Sequence, residues 1–163
     1  MKPSWYAKRY PTLDDLVDFA ASLGAHTHFS GKISTAAFVS EEDDGNGWAG
    51  AARPITSIIL IPSQKGPLAS AWGLAHEIGH LCLHAGPGGS PSWSKDETQA
   101  NRWAACALIP AARIKKYNNA SIDSFMGALS ANYELLPMHD CLARDLAHKI
   151  ARFRLDALAT RQE

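Results

Sequence analysis

Residues 76–80 read His-Glu-Ile-Gly-His, and this pentapeptide restricts the fold more than any other feature. Two imidazoles four positions apart aim the same way only on a helix, where they lie one turn apart on one face. His76 and His80 can then address a single ion. Glu77 is rotated beside them, placed to work on a proton rather than to bind. A helix offers one ion only these two donors. A site with three protein ligands and an open position for water therefore needs a second segment folded against this face.

The candidates for that third ligand are His84, Glu97, Asp96 and Cys82. His84 continues the stripe, but a straight helix carries it about 12 Å along the axis from His76, beyond the reach of one ion with bonds near 2 Å. It suits a supporting or helix-ending role. Cys82 points off the ligand face. Glu97 is favoured, because it opens a new helix after the breaker-rich stretch Ala85-Gly-Pro-Gly-Gly-Ser-Pro-Ser-Trp93, which can turn that helix back onto the first. Asn101, four residues on, suits a hydrogen bond that holds a histidine or the carboxylate. Two alternatives stay open: Asp96 as the ligand, and Glu97 as merely the last residue of a Ser94-Lys-Asp-Glu97 capping box.

Around this centre the chain reads as α+β, with a small, mostly antiparallel sheet packed on the motif helix and a helical C-terminal half. Thr12-Leu-Asp-Asp15 is a capping box with Asp at its third helical position, followed by Leu13, Leu16, Val17, Ala20 and Leu23 at helical spacing and Gly24 as a stop. His26 and His28 would share a face of an extended strand; a metal clip there lacks a third ligand nearby. Strands are expected at 34–40, 48–52 and, most clearly, Ile55–Ile61, β-branched and stopped by Pro62. The acidic segment 41–47 lacks the alternating spacing of a calcium loop and reads as a turn. The motif helix should span about 68–84, with Leu74, Ile78, Leu81 and Cys82 toward the core. Gly79, costly inside a helix by about 1 kcal/mol relative to Ala, suggests a close approach by another backbone. Further helices are expected at about 94–107, 110–117, 122–131 and 138–159. The last carries Leu142, Leu146, Ile150, Phe153 and Leu158 as its core stripe and Arg152, Arg154 and Arg161 outside.

One domain, 1–163, accounts for the length: helix and sheet over 1–62, the motif helix and the Glu97 helix over 67–110, and the C-terminal helices over 111–163. The formal net charge is zero with 20% charged residues, which gives no reason to expect direct nucleic-acid binding or an acidic membrane surface. No run of about 18 apolar residues is present, the first ten residues lack a signal-peptide core, and Cys82, Cys106 and Cys141 are odd in number and widely spaced. A cytoplasmic protein with reduced thiols is expected.

The stretch Leu74-Ala-His-Glu-Ile-Gly-His-Leu-Cys-Leu-His84, followed by Asp96-Glu-Thr-Gln-Ala-Asn-Arg-Trp-Ala-Ala-Cys-Ala-Leu-Ile-Pro110, resembles the ImmA/IrrE metallopeptidases. Their members show H-E-[LI]-G-H-x-x-L-H and then E-x-[EQ]-A-[ND]-x-F-A-A-x-L-[LM]-x-P. The likeness is specific over about 55–110 and weaker elsewhere; Trp103 stands where Phe is usual and Gln99 where Glu is common. The resemblance implies a zincin-like core holding one Zn2+ per chain, with Mn2+ as the alternative ion, through His76, His80 and Glu97. It implies Glu77 as general base and, as substrate, a helix-turn-helix transcriptional repressor. A strand such as 55–61, if exposed at the sheet edge, would pair with an extended substrate. His139, Tyr117 and Tyr133 are candidates to steady the oxyanion. Two rivals stand beside this: a non-catalytic, metal-stabilised module that binds and regulates a repressor, and a metal-dependent hydrolase of a non-protein substrate.

Overall fold

The computed structural model describes residues 9–32, 37–40, 57–62, 65–84, 93–114, 120–133 and 141–160, with the side chains of 37–40, 57, 84, 93, 94, 112 and 113 outside the description. Helix α1, Leu13–Ser22, begins as its sequence dictates. Thr12 accepts from the Asp15 backbone N–H, and the Asp15 carboxylate accepts in return from the Thr12 N–H. It ends at Gly24, whose φ of +83° is the left-handed conformation that closes a helix at little cost to a residue without Cβ.

The sheet follows as β1, Ala25–Ser30; β2, Ala37–Ser40; and β3, Ser57–Pro62. The order is β1-β3-β2, with β3 parallel to β1 and antiparallel to β2. The mostly antiparallel sheet expected from sequence is thus corrected to a mixed one. β3 inserts between its two predecessors, because its run Ile58-Ile-Leu-Ile61 is the most apolar and takes the place paired on both sides. β1, carrying exposed His26 and His28, takes an edge. With both neighbours filled, β3 offers no free edge to a substrate strand, contrary to the expectation for 55–61. The strand expected at 48–52 and the turn at 41–47 lie outside the described residues.

Gly66, at φ +84°, turns the chain into helix α2, Pro67–His84. The buried Ser70 hydroxyl donates to the Pro62 carbonyl at 3.1 Å, tying the first turn of α2 to the end of β3. Helices α3, Trp93–Leu108; α4, Ala111–Ile114; α5, Ile122–Asn132; and α6, Cys141–Ala159, complete the chain. Ser94 lies inside the first turn of α3, and the capping box expected to begin there rests on a side chain outside the description. The described side chains share one core. Leu16 and Phe19 of α1, Ile59 and Ile61 of β3, Leu74 and Ile78 of α2, Leu108 of α3, Phe125 and Leu129 of α5 and Ile150 of α6 meet in it. Trp103, the departure from the resembled pattern, stacks on Phe19 at 6.3 Å between centroids.

In α6 the expected stripe is half right. Ile150 is buried, and Leu146, Phe153 and Leu158 pack against the core, but Leu142 is 80% exposed. Arg154, expected outside, is fully buried. Its Nε donates to the Ile109 carbonyl at 2.8 Å and its guanidinium reaches Cys106 Sγ at 3.3 Å. The carbonyl just past the end of α3 needs a donor, and a guanidinium brought in by α6 provides one. Arg161 lies outside the described residues. Among those described, no helix is long and apolar enough to cross a membrane.

Candidate metal centre

His76 and His80 stand one turn apart in the second half of α2, and Gly79 lies between them in sequence. A Cβ on Gly79 would come within 3.0 Å of the Ala100 carbonyl oxygen. The missing side chain therefore lets α3 lie directly on α2. Glu97, three residues before Ala100, is brought over the two imidazoles as a result. Its carboxylate oxygens stand 3.3 Å from His76 Nε2 and 3.2 Å from His80 Nε2, while the two Nε2 atoms are 3.1 Å apart.

These separations test whether the residues suit an ion. Donors bound to a tetrahedral zinc at about 2.0–2.1 Å stand roughly 3.3–3.4 Å from one another. The two imidazole nitrogens are spaced near that edge length, and each is approached at a similar distance by its own carboxylate oxygen, Oε2 at His76 and Oε1 at His80. Side-chain exposures of 16% for His76, 26% for His80 and 42% for Glu97 leave the cluster open to solvent on the Glu97 side, which a site that must admit water requires. Among the described residues it is the one group of three or more His, Cys, Asp and Glu side chains arranged this way. His26 and His28 have no such third partner there.

Asn101, one turn after Glu97, supports the arrangement. Its amide oxygen lies 3.1 Å from His76 Nδ1; with the oxygen so assigned, Nδ1–H donates and the Nε2 lone pair faces the cluster. The contact of His76 with Glu97 is at ion-pair distance, yet burial, followed by the neighbouring His80, lowers the proton affinity of His76 more than the carboxylate raises it. His76 is thus held in the neutral form that binds metal. Glu77 is buried, 8% exposed. Burial first, then the charge of Glu97, pushes its carboxyl up to about 7. His84 is the last residue of α2, and its side chain lies outside the description. Asp96 and Cys82 stand outside the triangle; burial raises the Cys82 thiol.

Of the oxyanion candidates, Tyr117 and His139 lie outside the described residues. Tyr133 is corrected to a structural role. Its hydroxyl donates to the Pro11 carbonyl at 3.0 Å just before α1, and burial drives its acidity further down.

The wall beside the centre joins Trp72 to residues of α6 that the sequence does not place there. Trp72, one turn before His76, has its ring centroid 6.3 Å from the imidazole, and Phe153 of α6 stacks on the indole at 6.2 Å. Lys149 Nζ sits 5.8 Å from the same indole centroid. The signal available was Trp72 on the ligand face; nothing local announces that α6 closes over it.

A family model described as the IrrE N-terminal-like domain, Peptidase_M78, matches residues 32–136. No curated protein and no solved structure matches the chain significantly.

Proposed function

The chain belongs to the family of the IrrE N-terminal-like domain, Peptidase_M78, and on that premise we propose that it is a zinc-dependent endopeptidase that cuts a helix-turn-helix repressor or a similar regulatory protein. The observation that carries this is the convergence of His76, His80 and Glu97 with a buried Glu77 beside them. A structural zinc needs four closed ligands and no neighbouring base; three ligands with an open side and an adjacent carboxylate are the donor set of hydrolytic sites.

His76, His80 and Glu97 would hold Zn2+, which when bound supplies the Lewis acidity that activates water and polarises a peptide carbonyl. Asn101 fixes the tautomer and the aim of His76. Glu77 takes the proton of the attacking water and returns it to the leaving amine, a double duty that suits a carboxyl whose proton affinity burial has raised. Trp72 and Phe153 exclude water from one side of the cluster.

The test is Glu77→Gln in the zinc-loaded protein, mixed with a candidate repressor and followed by mass spectrometry. The wild type should yield truncated repressor; the variant should retain one zinc per chain and yield none. Cleavage by the variant would remove Glu77 as the base. An intact repressor in stoichiometric complex with the wild type would instead favour the regulatory binding module. Metal analysis of the protein as purified decides between zinc and manganese.

A further inference from the structure

The aromatic wall beside the centre carries a cation that the proposed chemistry does not use. Phe153, Trp72 and His76 form a continuous run of rings from α6 to the first ligand, with neighbouring centroids 6.2 and 6.3 Å apart. Lys149, one turn before Phe153, places its ammonium over the middle of these rings, 5.8 Å from the indole centroid. Such a contact orients the cation without neutralising it. Asp145, one turn before Lys149, is the natural helix partner for the ammonium, yet no ion pair joins them among the described residues. Arg152 and Asp156, also one turn apart, flank the same face. Together with His148 and Phe153 these residues line a shallow open depression of about 310 Å³.

Side chains of an extended peptide follow one another at about 3.3 Å per residue. A group one or two residues from a carbonyl held at the centre therefore falls within the distance that separates the imidazole from the indole. What it meets there is the edge of the largely buried Trp72 and the half-buried Phe153, with the exposed Lys149 ammonium beside them. This surface suits an alkyl stem ending in an anion. At Lys149 itself a lysine or arginine side chain would meet like charge, while Asp145 and Asp156 balance Lys149 and Arg152 over the depression as a whole.

We propose that Lys149, held over Trp72 beside the metal centre, is a specificity-determining residue that takes a carboxylate of the bound peptide within two residues of the scissile bond. The proposal rests on the metallopeptidase reading above and names the substrate chemistry of that site. The carboxylate has two sources: an Asp or Glu side chain, or the C-terminus of the peptide itself.

The experiment measures binding by calorimetry to the zinc-loaded protein, independently of turnover. Four short peptide hydroxamates serve as probes: amidated with Glu beside the chelating group, amidated with Gln, amidated with Lys, and Gln with a free C-terminus. Wild type should bind one carboxylate probe about two- to fivefold more tightly than amidated Gln, the size expected of one exposed charge pair, and bind Lys more weakly. A preference for amidated Glu identifies a side chain, and a preference for the free C-terminus identifies the chain end. Lys149→Met should erase the difference while zinc content stays at one per chain; Lys149→Arg should keep it, and Lys149→Glu should favour the Lys probe. Equal binding of all four probes, or a preference that survives Lys149→Met, overturns the proposal and leaves the metal centre standing. Failure of the zinc-loaded protein to bind any hydroxamate overturns the metallopeptidase reading as well.

Discussion

A methyl group on Gly79 would stand 3.0 Å from the carbonyl oxygen of Ala100 and 3.1 Å from its Cα. Backbone, not a flexible side chain, is what it would meet, so one of the two helices would have to move. The same contact sets how far Glu97 hangs from His76 and His80.

Gly79→Ala therefore sets two effects against each other. Helix propensity gains about 1 kcal/mol, while forcing α3 outward costs about 1–3 kcal/mol in strain. The expected outcome is a folded protein, little changed in thermal stability, whose zinc affinity is at least about tenfold weaker because a small displacement spoils ligand geometry. Competition with a chromophoric chelator reads this directly.

Glu97 is either a ligand or simply an acidic residue in the first turns of α3. Zinc at one hundred times its dissociation constant should stabilise wild type by about 2.7 kcal/mol, or roughly 5–10 °C in Tm for a chain of this size. Glu97→Ala should abolish that increment and leave the Tm without zinc nearly unchanged. An undiminished zinc response in this variant would remove Glu97 from the centre.

Asn101→Leu deletes the acceptor for His76 Nδ1–H. About a 10- to 100-fold loss of zinc affinity is expected, the usual effect of losing a partner of a ligating histidine. Asn101→Asp, which keeps an acceptor, should retain most of it.

Glu77 makes the metal-stripped protein sensitive to pH. Its carboxyl is raised from 4.5 to about 7 on folding, so the folded state holds a proton that the unfolded state has released in that interval. Stability from this group is thus full below about pH 4.5 and declines as pH rises to about 7, with a ceiling near 3 kcal/mol. Glu77→Gln should remove the decline, making the variant more stable than wild type at pH 8 but not at pH 4 in urea titrations with a chelator present. Added zinc, placing positive charge beside the carboxyl, should shrink the difference.

Arg154→Leu leaves the Ile109 carbonyl without its buried donor. A loss of about 2–3 kcal/mol is expected, read as a lower urea midpoint, with zinc stoichiometry still one per chain because no ligand lies on α6.

What could be read from the chain alone was local. The spacing of His76 and His80, the Thr12–Asp15 capping box, the stop at Gly24 and the bare backbone at Gly79 depend on covalent spacing and on groups within a few residues. The same holds for reading Asn101 one turn beyond Glu97, and the structure brings His76, Gly79, His80, Glu97 and Asn101 together at one centre. The rest was decided in three dimensions. Whether β3 pairs at an edge or between its neighbours depends on how apolar it is relative to the other strands, a comparison no single segment contains. Arg154 is buried because the last turn of a different helix ends in a carbonyl that needs a donor. Lys149 lies over Trp72 only because α6 packs across α2, a contact between residues far apart in sequence. No periodicity within α6 records it.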